Sequence, residues 1–122
     1  MLRRTPHILI ADDEPEVRNL FTRLLCRGGY AVTHVGGGGA ALTILDEKQV
    51  DLLVLDLSMP QPDGFELLKL LRWKRPELRI LVVSGYMEGA LLKAAEVLGA
   101  TAAMSKADAP KLLLPTVNGL LQ

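Results

Sequence analysis

Three carboxylates, a hydroxyl and an ammonium stand out in this chain because each sits at the end of a short apolar run. Asp12 and Asp13 follow the run 7–11, Asp56 follows 52–55, Ser84 follows 80–83, and Lys106 comes just after 100–104. The spacings are 43 residues from Asp13 to Asp56, 28 from Asp56 to Ser84 and 22 from Ser84 to Lys106. Clustered carboxylates raise one another's pKa unless a cation relieves them. Mg2+ is a suitable relief, since it takes one or two carboxylates and a phosphate oxygen while keeping several waters. A carboxylate can also attack a phosphoryl group, giving an aspartyl phosphate. Phosphoryl transfer is catalysed mostly by positioning and charge neutralisation. A metal, the Lys106 ammonium and the Ser84 hydroxyl would supply both, so the set is complete for self-phosphorylation on an aspartate.

Each residue alone has a plainer reading. Asp12-Asp13 and Ser84-Gly85 suit helix N-caps, Asp56 ahead of Leu57-Ser58-Met59-Pro60 suits a turn, and a lone lysine is usually solvated. What favours chemistry is their joint placement. The runs that precede them are four to six residues long and apolar without alternation, as in strands buried on both faces of a parallel sheet. A further run, 31–35, completes five.

Helical patterns separate the strands. Val17, Leu20, Phe21, Leu24 and Leu25 form one apolar face, closed by Gly28-Gly29. A second helix is expected from Ala40, after the run Gly36 to Gly39. A third, preceded by Asp63, carries Phe65, Leu68 and Leu71 and stops before Pro76. Leu91, Ala94, Ala95 and Leu98 mark a fourth, ended by Gly99. The fifth starts near Asp108 and is expected to be short, kinked or late-starting. Pro115 in a helix interior would cost about 3 kcal/mol. Five strand–helix units predict a doubly wound α/β domain, whose ligands bind beyond the carboxyl ends of the strands.

Composition narrows the alternatives. With 122 residues the length suits one domain, and fourteen basic against fourteen acidic residues give no net charge. That argues against a protein whose main work is gripping nucleic acid, as do only five aromatics. The single cysteine, Cys26, cannot form an internal disulfide, which suits a reducing cytosol. It reads as helix packing. No apolar run approaches the roughly 20 residues of a membrane helix, and no export signal is recognisable. His7 and His34 lack metal-ligand spacing, Trp73 reads as a partly buried helix-face residue, and Arg72, Lys74 and Arg75 read as a solvated helix end.

Three strings resemble the receiver domains of two-component response regulators: residues 8–18 with Asp12-Asp13-Glu14-Pro15, residues 51–68 with Asp56, Met59-Pro60 and Asp63-Gly64, and residues 80–85 ending Ser84-Gly85. The resemblance covers about residues 6–121 and implies a flavodoxin-like, five-stranded parallel sheet of order 2-1-3-4-5 with helices on both faces. It further implies that a sensor histidine kinase or phosphotransfer protein donates a phosphoryl group to Asp56. Asp13 would ligate Mg2+ directly and Asp12 through water, with Asp56 and the Ser58 backbone carbonyl as further ligands. Ser84 and Lys106 would hold phosphoryl oxygens. Ser58 and Tyr86 occupy the positions on which the family's self-dephosphorylation rates depend. The bulk of Tyr86 is expected to slow the approach of water. The expected setting is cytoplasmic, with 1–122 as a single receiver domain and no output domain, no nucleic acid and no membrane. The downstream partner is unknown, and any homodimer would be weak, through the face of helix 4, strand 5 and helix 5.

Two positions depart from the family pattern. Ala103 stands where an aromatic usually swings inward on phosphorylation, and Ala107 where a proline usually follows the lysine. Any switch is therefore expected to work through the loop 84–89 without an aromatic gate. The alternative reading keeps the fold and drops the chemistry, leaving an interaction module whose partners ignore Asp56. An aspartate-nucleophile phosphatase is disfavoured because Ser58 stands where a second aspartate would act as general acid.

Overall fold

Successive strand residues point to opposite faces of a sheet, so an unbroken apolar run is satisfied only where both faces are covered. A computed structural model of the chain describes residues 4–59, 64–85 and 89–122. Among them are β1 (His7–Ala11), α1 (Pro15–Arg27), β2 (Ala31–Val35), α2 (Gly38–Glu47) and β3 (Leu52–Leu55). Then follow α3 (Gly64–Lys74), β4 (Arg79–Ser84), α4 (Gly89–Val97), β5 (Ala102–Ser105) and α5 (Ala109–Leu121). All strands pair in parallel, in the order β2-β1-β3-β4-β5. Fold class and strand order are as the sequence predicts. Asp63, expected to cap the third helix, and Tyr86 lie outside the described residues.

The side-chain alternation divides the core in two. Leu9, Ala11, Leu53, Leu55, Ile80 and Val82 meet Ala41 and Leu45 of α2, Leu67, Leu68 and Leu71 of α3, and Ala95 of α4. On the other face Ile8, Ile10, Leu52, Val54, Leu81 and Val83 meet Phe21 and Leu25 of α1 and Ala109, Leu113 and Val117 of α5. The three central strands are almost wholly buried, whereas the edge strands β2 and β5 keep partial exposure. Gly29 and Gly99 take positive φ angles of 90° and 118° just beyond α1 and α4, where the predicted glycine stops lie.

Several expectations need correction. α2 starts at Gly38, so two of the four glycines belong to the helix. α5 is neither short nor late-starting. It runs 13 residues with Pro115 inside it. The reason is orientation: Pro115 is on the exposed side while Ala109, Leu113 and Val117 are buried on the opposite one. Packing therefore holds the helix, and water can reach the carbonyl left without its donor. Trp73 is 81% exposed, and Cys26 is exposed as well. The basic helix end is only partly solvated. The Arg72 guanidinium donates to the carbonyls of Gly99, Arg75 and Pro76, and Arg75 donates to Leu45 O and Asp46.

Candidate functional site

The parallel register sets the site. Ala11 of β1 faces Leu55 of β3, so Asp12 and Asp56 leave the sheet side by side. The Asp56 N–H donates to Ala11 O at 3.0 Å and the Asp12 N–H to Val35 O at 3.1 Å, which carries the ladder into the loops. The chain leaves β1 toward β2 on one side and β3 on the other, and the crevice opens at that reversal. Asp12 and Asp56 are each only 2% exposed, while Asp13 is exposed. Carboxylate oxygens of these three residues lie within 4.8 Å of one another.

β4 and β5 bring the other partners. Ser84 faces Ser105, and the Lys106 N–H donates to Ser84 O at 3.1 Å. From there the Lys106 ammonium reaches Asp12 Oδ2 at 2.9 Å, Glu14 Oε1 at 3.2 Å and Asp56 Oδ2 at 3.3 Å. The other oxygen of Asp12 accepts the Glu14 N–H at 2.8 Å. Asp12 therefore orders the turn before α1 instead of capping the helix.

Ser58 organises the other oxygen of Asp56. Its N–H donates to Asp56 Oδ1 at 2.9 Å, and its hydroxyl lies 3.1 Å from the same oxygen and 2.9 Å from Ser84 Oγ. Gly64 lets α3 begin directly against this turn. A Cβ there would stand 2.2 Å from Leu57 Cα and 2.7 Å from Asp56 O, so only glycine fits. Ala103 pairs with Val82 across the sheet and packs, with a methyl only, against the core cluster on the face that holds α2, α3 and α4.

All the site residues expected from sequence, Asp12, Asp13, Asp56, Ser58, Ser84 and Lys106, thus meet at one edge of the sheet. Three features escaped sequence reading. Glu14 pairs with Lys106 across 92 residues, and the acidic run 12–14 was its only signal. The Ser58 hydroxyl joins Asp56 to Ser84. Arg18 donates from α1 to Asp12 O at 2.8 Å and to His34 Nδ1 at 3.2 Å, bracing the first loop.

Electrostatically, three carboxylates, those of Asp12, Glu14 and Asp56, share the Lys106 ammonium. Burial, with the neighbouring Asp56 charge, lifts the Asp12 carboxyl above the usual carboxylate range, although the Glu14 N–H and Lys106 pull it down. Burial works against the Lys106 ammonium, but its bond to Asp12 and the charges of Asp56 and Asp12 outweigh that and hold its pKa above the ordinary lysine value. An all-oxygen donor set with excess negative charge fits a hard divalent cation.

The raised Asp12 value has a testable sign. The folded state binds this proton more tightly than the unfolded chain, whose carboxyl titrates near ~3.9. The contribution of Asp12 to stability therefore falls as pH rises from that value through its folded value. Asp51, held low by Arg4 and the His7 N–H against the effect of burial, works in the opposite direction. Without divalent ions, Asp12→Asn should gain stability relative to the wild type as pH rises across this window. Thermal melts of both proteins against pH would show it, and parallel curves would contradict it.

Comparison with known proteins agrees with this geometry. The model of the response regulator receiver domain family matches residues 8–118. Sporulation initiation phosphotransferase F of Bacillus subtilis is 30% identical over 115 residues, which cover 88% of this chain and 93% of that protein. The transcriptional activator ExaE of Pseudomonas putida is 34% identical over 116 residues, 93% of this chain but only 54% of the relative's length. The crystal structure of the response regulator TrrA from Thermotoga maritima in complex with Mg(2+)-BeF superposes with a TM-score of 0.87 at 27% identity, covering 96% of this chain and all of that one. With the 2-1-3-4-5 sheet and the acidic cluster at its switch point, these matches lead to one assignment: the chain belongs to the receiver domains of two-component response regulators.

Proposed function

We propose that the chain acts as a single receiver module in the cytoplasm, with Asp56 as its phosphoacceptor. The observation that carries this reading is the setting of Asp56. It is buried at the switch point, with Oδ2 on the Lys106 ammonium, Oδ1 on Ser58, and Asp12 and Asp13 alongside. The donor is a phosphohistidine on a sensor kinase or phosphotransfer protein, or a small acyl phosphate. A carboxylate oxygen of Asp56 forms the new bond to phosphorus, the bond to the donor breaks, and the leaving group takes the electron pair. Among the described residues, no helix is long and apolar enough to cross a membrane.

Asp13, Asp12, Asp56 and the Ser58 carbonyl would hold Mg2+. When bound, that ion neutralises charge on the phosphoryl oxygens and on the acidic cluster. Lys106 shifts its ammonium from the carboxylates to a phosphoryl oxygen as that charge arrives, exchanging one set of negative partners for another. Asp12, fixed through Oδ1 by the Glu14 N–H, keeps Oδ2 on the Lys106 side of the site. Ser84 supplies a hydroxyl to a second phosphoryl oxygen.

Intact mass after incubation with Mg2+ and acetyl phosphate tests the reading. The wild type should gain one phosphoryl group, and Asp56→Asn and chelator-treated protein should gain none. Labelling of the Asp56→Asn variant, or wild-type labelling that persists in chelator, would overturn it.

A further inference from the structure

The Ser58 hydroxyl stands between two groups that the sequence motif treats separately. Its Oγ lies 3.1 Å from Asp56 Oδ1 and 2.9 Å from Ser84 Oγ. The direction of these bonds follows from the donors available. An ionised carboxylate only accepts, so Ser58 gives its one proton to Asp56 and receives that of Ser84. The chain of donation therefore runs from Ser84 through Ser58 to Asp56, with its polarity imposed by the charge on Asp56. Ser84 is 3% exposed, and leaving its hydroxyl without a partner at that depth would be unfavourable.

We infer that Ser58 is a positioning residue that couples the charge of Asp56 to the hydroxyl of Ser84, so that phosphorylation frees Ser84 by removing the charge that holds it. This rests on Asp56 as phosphoacceptor. If Oδ1 forms the bond to phosphorus, it becomes the bridging oxygen of an acyl phosphate; if Oδ2 does, Oδ1 becomes a neutral acyl carbonyl. Either way the ionic acceptor for Ser58 is lost, and hydrogen bonds to charged groups are roughly twice as strong as neutral ones. The charge now lies on the phosphoryl oxygens, and the two hydroxyls turn to it. Because the Lys106 N–H donates to Ser84 O, a shift at Ser84 is felt on the backbone leaving both β4 and β5. The relay needs no ring at Ala103.

Amide NMR spectra of wild type, Ser58→Ala and Ser58→Thr test this. Each is recorded in chelator, with a wild-type reference in Mg2+ and beryllofluoride. In Ser58→Ala the Ser58 N–H still holds Asp56, but the link to Ser84 is cut. The Ser84, Gly85 and Lys106 amides of chelator-treated Ser58→Ala should then lie at least about a third of the way along the line from free to beryllofluoride-bound wild type, as a population shift requires. Ser58→Thr, which keeps the hydroxyl, should stay at the free wild-type positions. If Ser58→Ala leaves these amides in place or moves them off that line, or if Ser58→Thr moves them as far as alanine does, the relay is wrong. A wild type that ignores Mg2+ and beryllofluoride would instead overturn the phosphoacceptor reading, and the relay with it.

Discussion

Lys106→Ala is expected to destabilise the metal-free protein by about 3 kcal/mol and to slow phosphoryl uptake by at least about 100-fold. Among the described residues, the ammonium is the one cation that contacts the Asp12 and Asp56 carboxylates, whose side chains are 3% and 1% exposed, and it is itself only 16% exposed. Little of this pairing is therefore screened by solvent, unlike an exposed ion pair. Removing it leaves two buried carboxylates side by side, with backbone N–H groups and the Ser58 hydroxyl as partners but no counter-charge. Asp12 can then lower the penalty by taking up a proton, so the loss should shrink as pH is lowered. A divalent ion should recover part of the stability without restoring the rate, because in the proposed reaction the ammonium would also meet charge on the transferred group. Urea unfolding with chelator and with Mg2+, beside acetyl phosphate labelling, measures both effects. Equal midpoints for wild type and variant in chelator would show that the three contacts contribute nothing.

Gly64→Ala should be the most damaging substitution of one small residue for another, with a loss of about 3 kcal/mol or more. The added methyl would meet Leu57 Cα at 2.2 Å, Asp56 O at 2.7 Å and Leu57 C at 2.8 Å. All three are backbone atoms, so no rotamer change relieves the clash. α3 must draw away from the end of β3, and Gly64 N, which donates to Leu57 O at 3.2 Å, must move with it. Asp56 sits on the same backbone, so phosphoryl uptake should fall together with stability. Gly39→Ala is the informative counterpart. Gly39 is exposed within α2 and has nothing within 4 Å of its would-be Cβ. The same chemical change there should raise stability by about 0.5–1 kcal/mol through helix propensity. Urea midpoints moving in the same direction for both variants would contradict the steric account.

Much of the architecture could be read locally, for a physical reason. A strand buried on both faces must be apolar at every position, so the runs at 7–11, 52–55 and 80–83 identify themselves without knowledge of their neighbours. Helix periodicity and the two glycines of positive φ are equally local signals. Chain direction then sends every strand's carboxyl end to one edge. Residue type at those ends was therefore enough to collect Asp12, Asp13, Asp56, Ser84 and Lys106 into one candidate site.

What depended on packing was not legible. Pro115 was read against intrinsic helix propensity, but the buried stripe Ala109, Leu113 and Val117 on the far side of α5 outweighs the missing hydrogen bond. Trp73 reads from sequence as a partly buried helix-face residue, yet it is 81% exposed on α3. Arg72 looked solvated until the return of the chain after α4 placed the Gly99 carbonyl beside it. The same holds within the site. Sequence determined which chemical groups reach the sheet edge, because that follows from strand order and polarity. Tertiary structure alone decided that Lys106 would also engage Glu14 and that the Ser58 hydroxyl would join Asp56 to Ser84. Contacts of about 3 Å between side chains on different loops depend on register and loop path, and no periodicity along the chain encodes those.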